Sequence, residues 1–258
     1  MGVYEARVIS QQKLQESAYL LELHCPEIVE KAQAGQFVHL KCSETLAPLL
    51  RRPFSIHKTD AARGSLSIYY AVVGEGTYLL SKVPINEQLS VLGPLGKGFQ
   101  LTKGKNVVVI GGGMGIAPML FLAEELSKKD NKITILLGAR DKEGLLVKDS
   151  FARFTNDLQL ATDDGSLGHK GTVVELLKES LQDNPTMLYA CGPLPMLKEV
   201  KRLSEKEGIP CQLSLEARMA CGIGACLGCT CKGKGEKYYP KVCSDGPVFW
   251  AEEVDLSE

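Results

Sequence analysis

Three cysteines stand at Cys221, Cys226 and Cys229, and a fourth, Cys243, follows after thirteen intervening residues. This C-x4-C-x2-C spacing with a distant fourth thiol is one that holds a [2Fe–2S] centre. Gly222, Gly224 and Gly228 interleave the first three. They remove side chains that would crowd an inorganic centre, and they permit positive φ, so backbone N–H groups can turn toward sulfur. Structural zinc is the main rival. It usually lies between two tight C-x2–4-C pairs, and only one arm here is tight. A disulfide framework is the third reading, and it suits a short secreted chain better than this one. Cys231 follows two residues after Cys229, and on a short strand its thiol is expected to be directed past the centre.

The elements that must carry this loop are numerous. At 258 residues the chain is long enough for two domains and a small appendage. Its hydrophobic fraction of 44% and charged fraction of 24% are those of an ordinary globular protein. A formal net charge of −1 gives no reason to expect nucleic acid or an anionic membrane as partner. Nine cysteines cannot all pair within one chain, and five of them crowd residues 221–243. That distribution suits a metal site in a reducing compartment. The first twenty residues carry Glu5, Arg7, Lys13 and Glu16 with no apolar core, so no secretory signal is expected. The longest uncharged run, Asn106 to Ala123, is broken by glycines and Pro118, so no membrane span is expected. A cytoplasmic location follows from these features.

Residues 1–100 read as short strands, among them Tyr19–His24, Gln36–Leu40 and Ser67–Val73, separated by turn residues. Evenly spaced short strands of alternating burial predict a small antiparallel β-barrel, interrupted by one helix over about Thr77–Val83. After residue 101 the pattern changes. Val107–Ile110 is a continuous apolar run, as in a strand buried on both faces. A helix to about Lys128, strands Ile133–Leu137 and Met187–Ala190, helices near 171–181 and 194–206, and a last strand Gln212–Leu215 complete an α/β alternation. That order predicts a parallel sheet covered by helices. The reading is therefore an all-β domain over 1–100, an α/β nucleotide-binding domain over 101–215 and a cluster-binding lobe over 216–258. The lobe is too short for an apolar core of its own and is expected to be organised by its metal centre.

Between these elements lie stretches able to bind anions. Arg52-Pro53-Phe54-Ser55 sits at a strand edge, where a guanidinium offers forked donors to phosphate oxygens and a hydroxyl can reach a flavin ring. Alone this is weak, because an arginine before a strand is more often a surface residue. Gly74-Glu75-Gly76-Thr77 opens a helix, with Thr77 as the expected N-cap. Gly111-Gly112-Gly113-Met114-Gly115-Ile116 follows a strand and can bring backbone close to a pyrophosphate, although Ile116 replaces the third glycine of the dinucleotide fingerprint. Cys191-Gly192-Pro193 ends another strand on the same expected edge. Taken alone, Cys191 reads as a buried core residue. After strand Ile133–Leu137, Asp141 could accept from a ribose hydroxyl, whereas Arg140 could favour a 2′-phosphate.

The succession RPFS, GxGT, Gly93-Pro94-Leu95-Gly96, GGGxGIAP and CGP resembles the ferredoxin–NADP reductase superfamily over roughly residues 3–210. The compact cysteine lobe after it resembles the electron-transfer subunits of class B dihydroorotate dehydrogenases, iron–sulfur flavoproteins of pyrimidine biosynthesis. The resemblance implies FAD in the barrel and NAD on the parallel-sheet domain. It implies that Arg52 binds the FAD pyrophosphate, that Ser55 sits near the reactive edge of the flavin, and that Tyr69, Tyr70 and Ala71 line it. Gly76 and Thr77 would cap a phosphate, and Cys191 would approach the nicotinamide. Phe54 stands where many relatives carry tyrosine. The implied partner is a subunit carrying FMN and the dihydroorotate site, in a tetramer of two chains of each kind. Electrons would pass between NADH, FAD, the cluster and the partner's flavin, because flavin alone can exchange a hydride for single electrons. Two alternatives stand beside this. One is the small subunit of a cytoplasmic hydrogenase, a sulfide dehydrogenase or a ferredoxin–NADP oxidoreductase; the other is a zinc-stabilised module that senses nucleotide without catalysis.

Overall fold

A computed structural model describes residues 1–43, 45, 47–235 and 238–257. Its first half is one seven-stranded antiparallel sheet. The strands are β1 (Gly2–Lys13), β2 (Ala18–His24), β3 (Phe37–Leu40), β4 (Arg52–Ser55), β5 (Lys58–Asp60), β6 (Ser65–Ala71) and β7 (Gln88–Leu95), in the spatial order β4-β3-β7-β1-β2-β6-β5. Helix α1 (Pro26–Val29) lies between β2 and β3, and α2 (Glu75–Leu80) between β6 and β7. The sheet curls into a half-barrel. The Ile56 N–H donates to Gln36 O and the His57 N–H to Ser67 O, so the two edges are drawn toward each other. Alternating residues such as Leu21, Leu23, Val38, Leu40, Leu66 and Ile68 fill the interior.

The second half is also one sheet of seven strands. They are β8 (Asn106–Gly112), β9 (Lys132–Ala139), β10 (Asp157–Thr162), β11 (His169–Lys170), β12 (Met187–Cys191), β13 (Cys211–Ser214) and β14 (Val248–Trp250), in the order β11-β10-β9-β8-β12-β13-β14. All neighbours are parallel except β13 and β14. Helices α3 (Met119–Ser127), α4 (Val173–Ser180) and α5 (Leu194–Glu207) cover it. Strand order reverses between β8 and β12, and a crevice opens at their carboxyl ends, where ligands bind in such sheets.

Four local expectations change. The helix α2 begins at Glu75, not Thr77, and Thr77 is its third residue. The Thr77 hydroxyl reaches back, accepting from the Val73 and Gly74 N–H groups and donating to Gly74 O. Strand β8 runs through Gly111 and Gly112, because both keep their ladder partners on β9. Strand β3 does not alternate: all four residues are buried, since the cysteine loop covers its outer face. Finally, β13 is not the last strand. The chain returns after the cysteine lobe and adds β14 antiparallel to it, by way of the register Gln212–Trp250.

That return explains how a lobe of some forty residues is held. Cys229, Val242, Cys243, Phe249, Val254 and Leu256 are buried in the same apolar core as Leu188, Ala190 and Leu213 of the sheet. The turn before β14 also meets the half-barrel. A Cβ at Gly96 would lie 2.4 Å from Pro247 Cδ, so only glycine lets the two chains approach. Barrel, sheet and lobe thus converge on one line of contact.

Candidate functional site

At that convergence a cavity of about 360 Å3 opens between the half-barrel and the carboxyl ends of β8 and β12. Arg52, Pro53, Phe54 and Ser55 of β4 line it, with Tyr69, Tyr70 and Ala71 of β6 and Thr77 of α2. Cys191 faces it from β12. Gly76 adjoins the same end, since its Cβ position lies 3.0 Å from the Arg52 Nε. The cavity therefore brings together β4, β6, α2 and β12, the four places from which the sequence drew these residues.

Phe37, Phe54, Tyr69 and Tyr70 make much of the wall aromatic. Tyr70 stacks on Tyr19 with ring centres 5.7 Å apart and meets Phe54 edge-on at 5.5 Å. Its hydroxyl is buried without a hydrogen-bond partner, a cost that a ligand atom would relieve. Burial raises the Tyr70 pKa well above the ordinary phenol, so it is a neutral donor. Cys191 is likewise a neutral thiol, since burial pushes it up to about 12. A planar ring system with heteroatoms at its edge, carrying an anionic tail toward Arg52, fits these walls. Sequence reasoning missed the far wall. Met114, Ala117, Glu216, Ala217 and Met219 also line the cavity, and no local pattern announces them. His57 ties that wall to the barrel: its Nδ1 lies 2.6 Å from Ala117 O, and its ring lies 5.8 Å from that of Tyr69.

A second cavity, of about 590 Å3, lies at the carboxyl edge of the parallel sheet. Gly112 and Gly113 line it, with Ala139, Arg140, Asp163, Thr172, Pro193 and Met196. Gly111 does not; within β8 its open face is filled by Ile116, 3.1 Å from the Cβ position. Gly115 is held against backbone, with atoms of Cys191 and Gly192 at 2.5 Å from its Cβ position. Asp141, which the sequence suggested for a ribose, does not line this cavity. It caps a short 3-10 turn, where its Oδ1 accepts from the Glu143 and Gly144 N–H groups at 3.0 and 3.1 Å. Asp163, one strand over, lines the cavity with Arg140, and Glu175 and Glu199 are further carboxylates on its wall.

The four thiols occupy one loop and its return. Their sulfurs accept from backbone N–H groups: Ile223 to Cys221 at 3.4 Å, Gly228 to Cys226 at 3.5 Å, Gly224 to Cys243 at 3.2 Å and Cys243 to Cys229 at 3.5 Å. Gly222 and Gly224 take positive φ to aim these donors. Leu227 also has a positive φ, of 58°, and is exposed. The thiols associate as Cys221 with Cys226 and Cys229 with Cys243. The first pair faces solvent, and the Ile223 N–H lowers Cys221 to about 6; the second is buried, which raises Cys243 to about 11. No three His, Cys, Asp or Glu side chains among the described residues close on one point as ligands of a single ion. The C-x4-C-x2-C spacing, with a backbone N–H on each of the four sulfurs, suits a [2Fe–2S] centre better than one tetrahedral zinc. Cys231 stands apart, packed against the sheet core with its N–H on Pro240 O.

Comparison with known proteins agrees with this geometry. A model of the iron–sulfur cluster binding domain of dihydroorotate dehydrogenase B matches residues 216–255, and one of the oxidoreductase NAD-binding domain matches 109–202. The chain is 42% identical to the dihydroorotate dehydrogenase B (NAD(+)) electron transfer subunit of Desulforamulus reducens, over 96% of each chain. It is 42% identical to that of Bacillus caldolyticus, over 99% of this chain and all of the other. The chain belongs to the family of dihydroorotate dehydrogenase B electron transfer subunits. Their name, electron transfer subunit, implies a catalytic partner subunit. The solved structure of an NADH-dependent reduced ferredoxin–NADP oxidoreductase aligns with a TM-score of 0.88 at 31% identity, covering 99% of this chain and 91% of that one. A Neisseria gonorrhoeae ferredoxin NADP+ reductase, solved with FAD and NADP, shares the fold at a TM-score of 0.68 and 20% identity, over 81% and 92%. No helix among the described residues is long and apolar enough to cross a membrane, and all nine cysteines are free thiols.

Proposed function

We propose that this chain is the NAD-linked electron-transfer subunit of a dihydroorotate dehydrogenase, passing electrons between NAD and an FMN-bearing catalytic partner in pyrimidine biosynthesis. The observation that carries the reading is that one aromatic cavity of the barrel is also lined by Met114 and Cys191 at the edge of the nucleotide sheet and by Ala217 and Met219 on the segment leading into the four-thiol loop. FAD in the cavity supplies the exchange between a hydride and single electrons.

The chain's own residues do the placing. Arg52 holds the pyrophosphate beside the backbone of Gly76 and Thr77, in a charge-assisted contact. Pro53 and Phe54 wall the ring, while Ser55 and the Tyr70 hydroxyl address its polar edge, and Tyr69 and Ala71 close the other side. Cys191 remains a protonated thiol beside the nicotinamide, filling space without taking up charge. Gly112 and Gly113 admit the dinucleotide at the sheet edge, and Gly111 sets the strand beneath them. Asp163, rather than Asp141, meets the ribose hydroxyl and disfavours a 2′-phosphate. Cys221, Cys226, Cys229 and Cys243 hold the [2Fe–2S] centre.

The partner meets the cluster loop. Ile223 and Leu227 expose 49% and 62% of their surface beside the thiols, an apolar patch of the kind that marks an interface. The assembly is two chains of each kind, in the cytoplasm, where free thiols persist. The likeness to the ferredoxin–NADP oxidoreductase keeps one alternative in view, a subunit that serves ferredoxin and NADP. A single assay separates them. The purified chain alone should oxidise NADH with a dye acceptor and leave dihydroorotate untouched; adding the FMN subunit should yield dihydroorotate-dependent reduction of NAD. Turnover of dihydroorotate by the isolated chain, or electron transfer to ferredoxin but none to the reconstituted pair, would overturn the proposal.

A further inference from the structure

The chain has four histidines, and three have evident partners. His24 meets Arg63 O at 3.0 Å, His57 meets Ala117 O at 2.6 Å, and His169 meets Glu175 Oε2 at 2.8 Å. His39 is different. It is wholly buried on β3, and neither ring nitrogen has a hydrogen-bond partner. Leaving a buried imidazole unpaired costs on the order of 1–3 kcal/mol, a cost that a bound group can relieve.

Two groups are near enough in the fold to be considered. His39 does not line the flavin cavity. Phe37, which does, stands between, its ring edge-on to His39 with centres 5.8 Å apart. The other side of the imidazole faces the cysteine loop. A Cβ at Gly222 would lie 2.7 Å from His39 Nδ1 and 2.8 Å from Cε1. Gly222, at φ +71°, follows Cys221 directly. The polar edge of the ring is thus packed directly against the backbone of the cysteine loop at Gly222, beside Cys221, where any side chain would displace it.

Resting on the reading of this loop as a [2Fe–2S] site, we infer that His39 donates a ring N–H to a sulfur of that cluster, and so acts as a positioning residue that raises its reduction potential. A donor to sulfur favours the more negative, reduced cluster. The same strand carries Phe37 into the cavity wall, so β3 couples the cluster's surroundings to those of the flavin. The other donors to this loop are backbone N–H groups; His39 adds one from the barrel.

The test begins with unaltered protein labelled with [15N]histidine. Pulsed EPR of the reduced cluster should show a nitrogen coupling and, after transfer to deuterium oxide, an exchangeable proton assigned to the same ring. The variant His39→Leu should keep its flavin and iron but lose that coupling. Its potential should fall by about 59 mV, a tenfold loss in preference for the reduced state, and His39→Gln should recover part of it. If His39→Leu fails to assemble, the labelled wild-type spectrum still decides. A [2Fe–2S] signal without histidine nitrogen coupling overturns this inference while leaving the cluster reading intact. Absence of any [2Fe–2S] signal removes both.

Discussion

The cysteine loop and the flavin cavity solve the problem of positioning a cofactor in opposite ways. The loop is local. Three of its four proposed ligands lie within nine residues, and its donors are backbone N–H groups aimed by positive φ at Gly222 and Gly224. The cavity is assembled from β4, β6, α2, β12 and the segment after β13, which are far apart in sequence. It is positioned by packing, through contacts such as Tyr70 on Tyr19 and His57 on Ala117. A local site stands or falls with single ligands, because each thiolate fills a coordination position that nothing else supplies. A packed site degrades in steps, because its walls share the load. The two should therefore respond to mutation with different severity.

The largest effect is expected at the loop. Cys226→Ala should abolish cluster assembly, with iron content and visible absorbance of the cluster near zero, whereas Cys231→Ala should keep both. Because Val242, Phe249, Val254 and Leu256 pack into the sheet core, the first variant should open to protease the solvent-facing loop 221–228 and leave the return strand protected. Retained iron in Cys226→Ala would show that the loop is not the ligand set. Cluster loss in Cys231→Ala would mean that the four ligands had been wrongly chosen among the five thiols.

At the cavity the expected loss is partial. Arg52→Ala removes one charge-assisted contact and should weaken FAD retention by about 1.5–3 kcal/mol, roughly 10- to 100-fold. The aromatic walls remain. Flavin content measured after dilution and gel filtration checks this, and an undiminished content would place the pyrophosphate elsewhere.

The difference also explains what could be read in advance. The thiol spacing, the glycine turns and the change from short strands to α/β alternation are local patterns, and they located the loop and both sheets. The motif Arg52–Ser55 and the residues Tyr69, Tyr70, Thr77 and Cys191 do reach one cavity. What escaped was decided by partners distant in sequence. Asp141 turns one oxygen to the N–H groups two and three residues on, and Asp163 reaches the wall because β10 lies beside β9. Strand β14 was hidden because three residues, Val248–Trp250, acquire strand geometry only against β13. Glu216 and Met219 enter the cavity by the path of the chain after β13, which no periodicity records.

A smaller effect tests the packed seam through pH. Burial holds His57 at about 4, against 6.5 for an exposed ring, while its bond to Ala117 O opposes part of that fall. In the unfolded chain the ring protonates near 6.5; in the native protein it stays neutral until about pH 4. The unfolded state therefore binds more protons between those values, and stability is lost as pH falls through that window. From pH 7 to pH 5 this one group should cost about 2 kcal/mol. Denaturant midpoints of His57→Gln should show a shallower pH dependence than wild type over that range. An equal slope would mean that other groups govern acid sensitivity.

The smallest effect on stability is expected back at the loop, at Leu227. A leucine at φ +58° costs roughly 1–2 kcal/mol relative to a residue tolerant of that conformation. Its side chain is exposed, so little packing offsets the strain. Leu227→Gly relieves the strain but adds about 0.5–1 kcal/mol of chain entropy in the unfolded state. The two terms oppose each other, and the net change in stability should stay within about 1 kcal/mol, with iron content unaltered. A strained, exposed leucine between two ligand cysteines is hard to explain by the isolated chain, but it suits a surface that meets the catalytic subunit. Leu227→Gly should therefore titrate the FMN subunit with at least tenfold weaker apparent affinity while its own NADH-to-dye activity is unchanged. If the affinity holds, Leu227 is outside the contact. If the cluster is lost instead, the side chain supports the ligands themselves, and the loop is less purely a backbone device than its hydrogen bonds suggest.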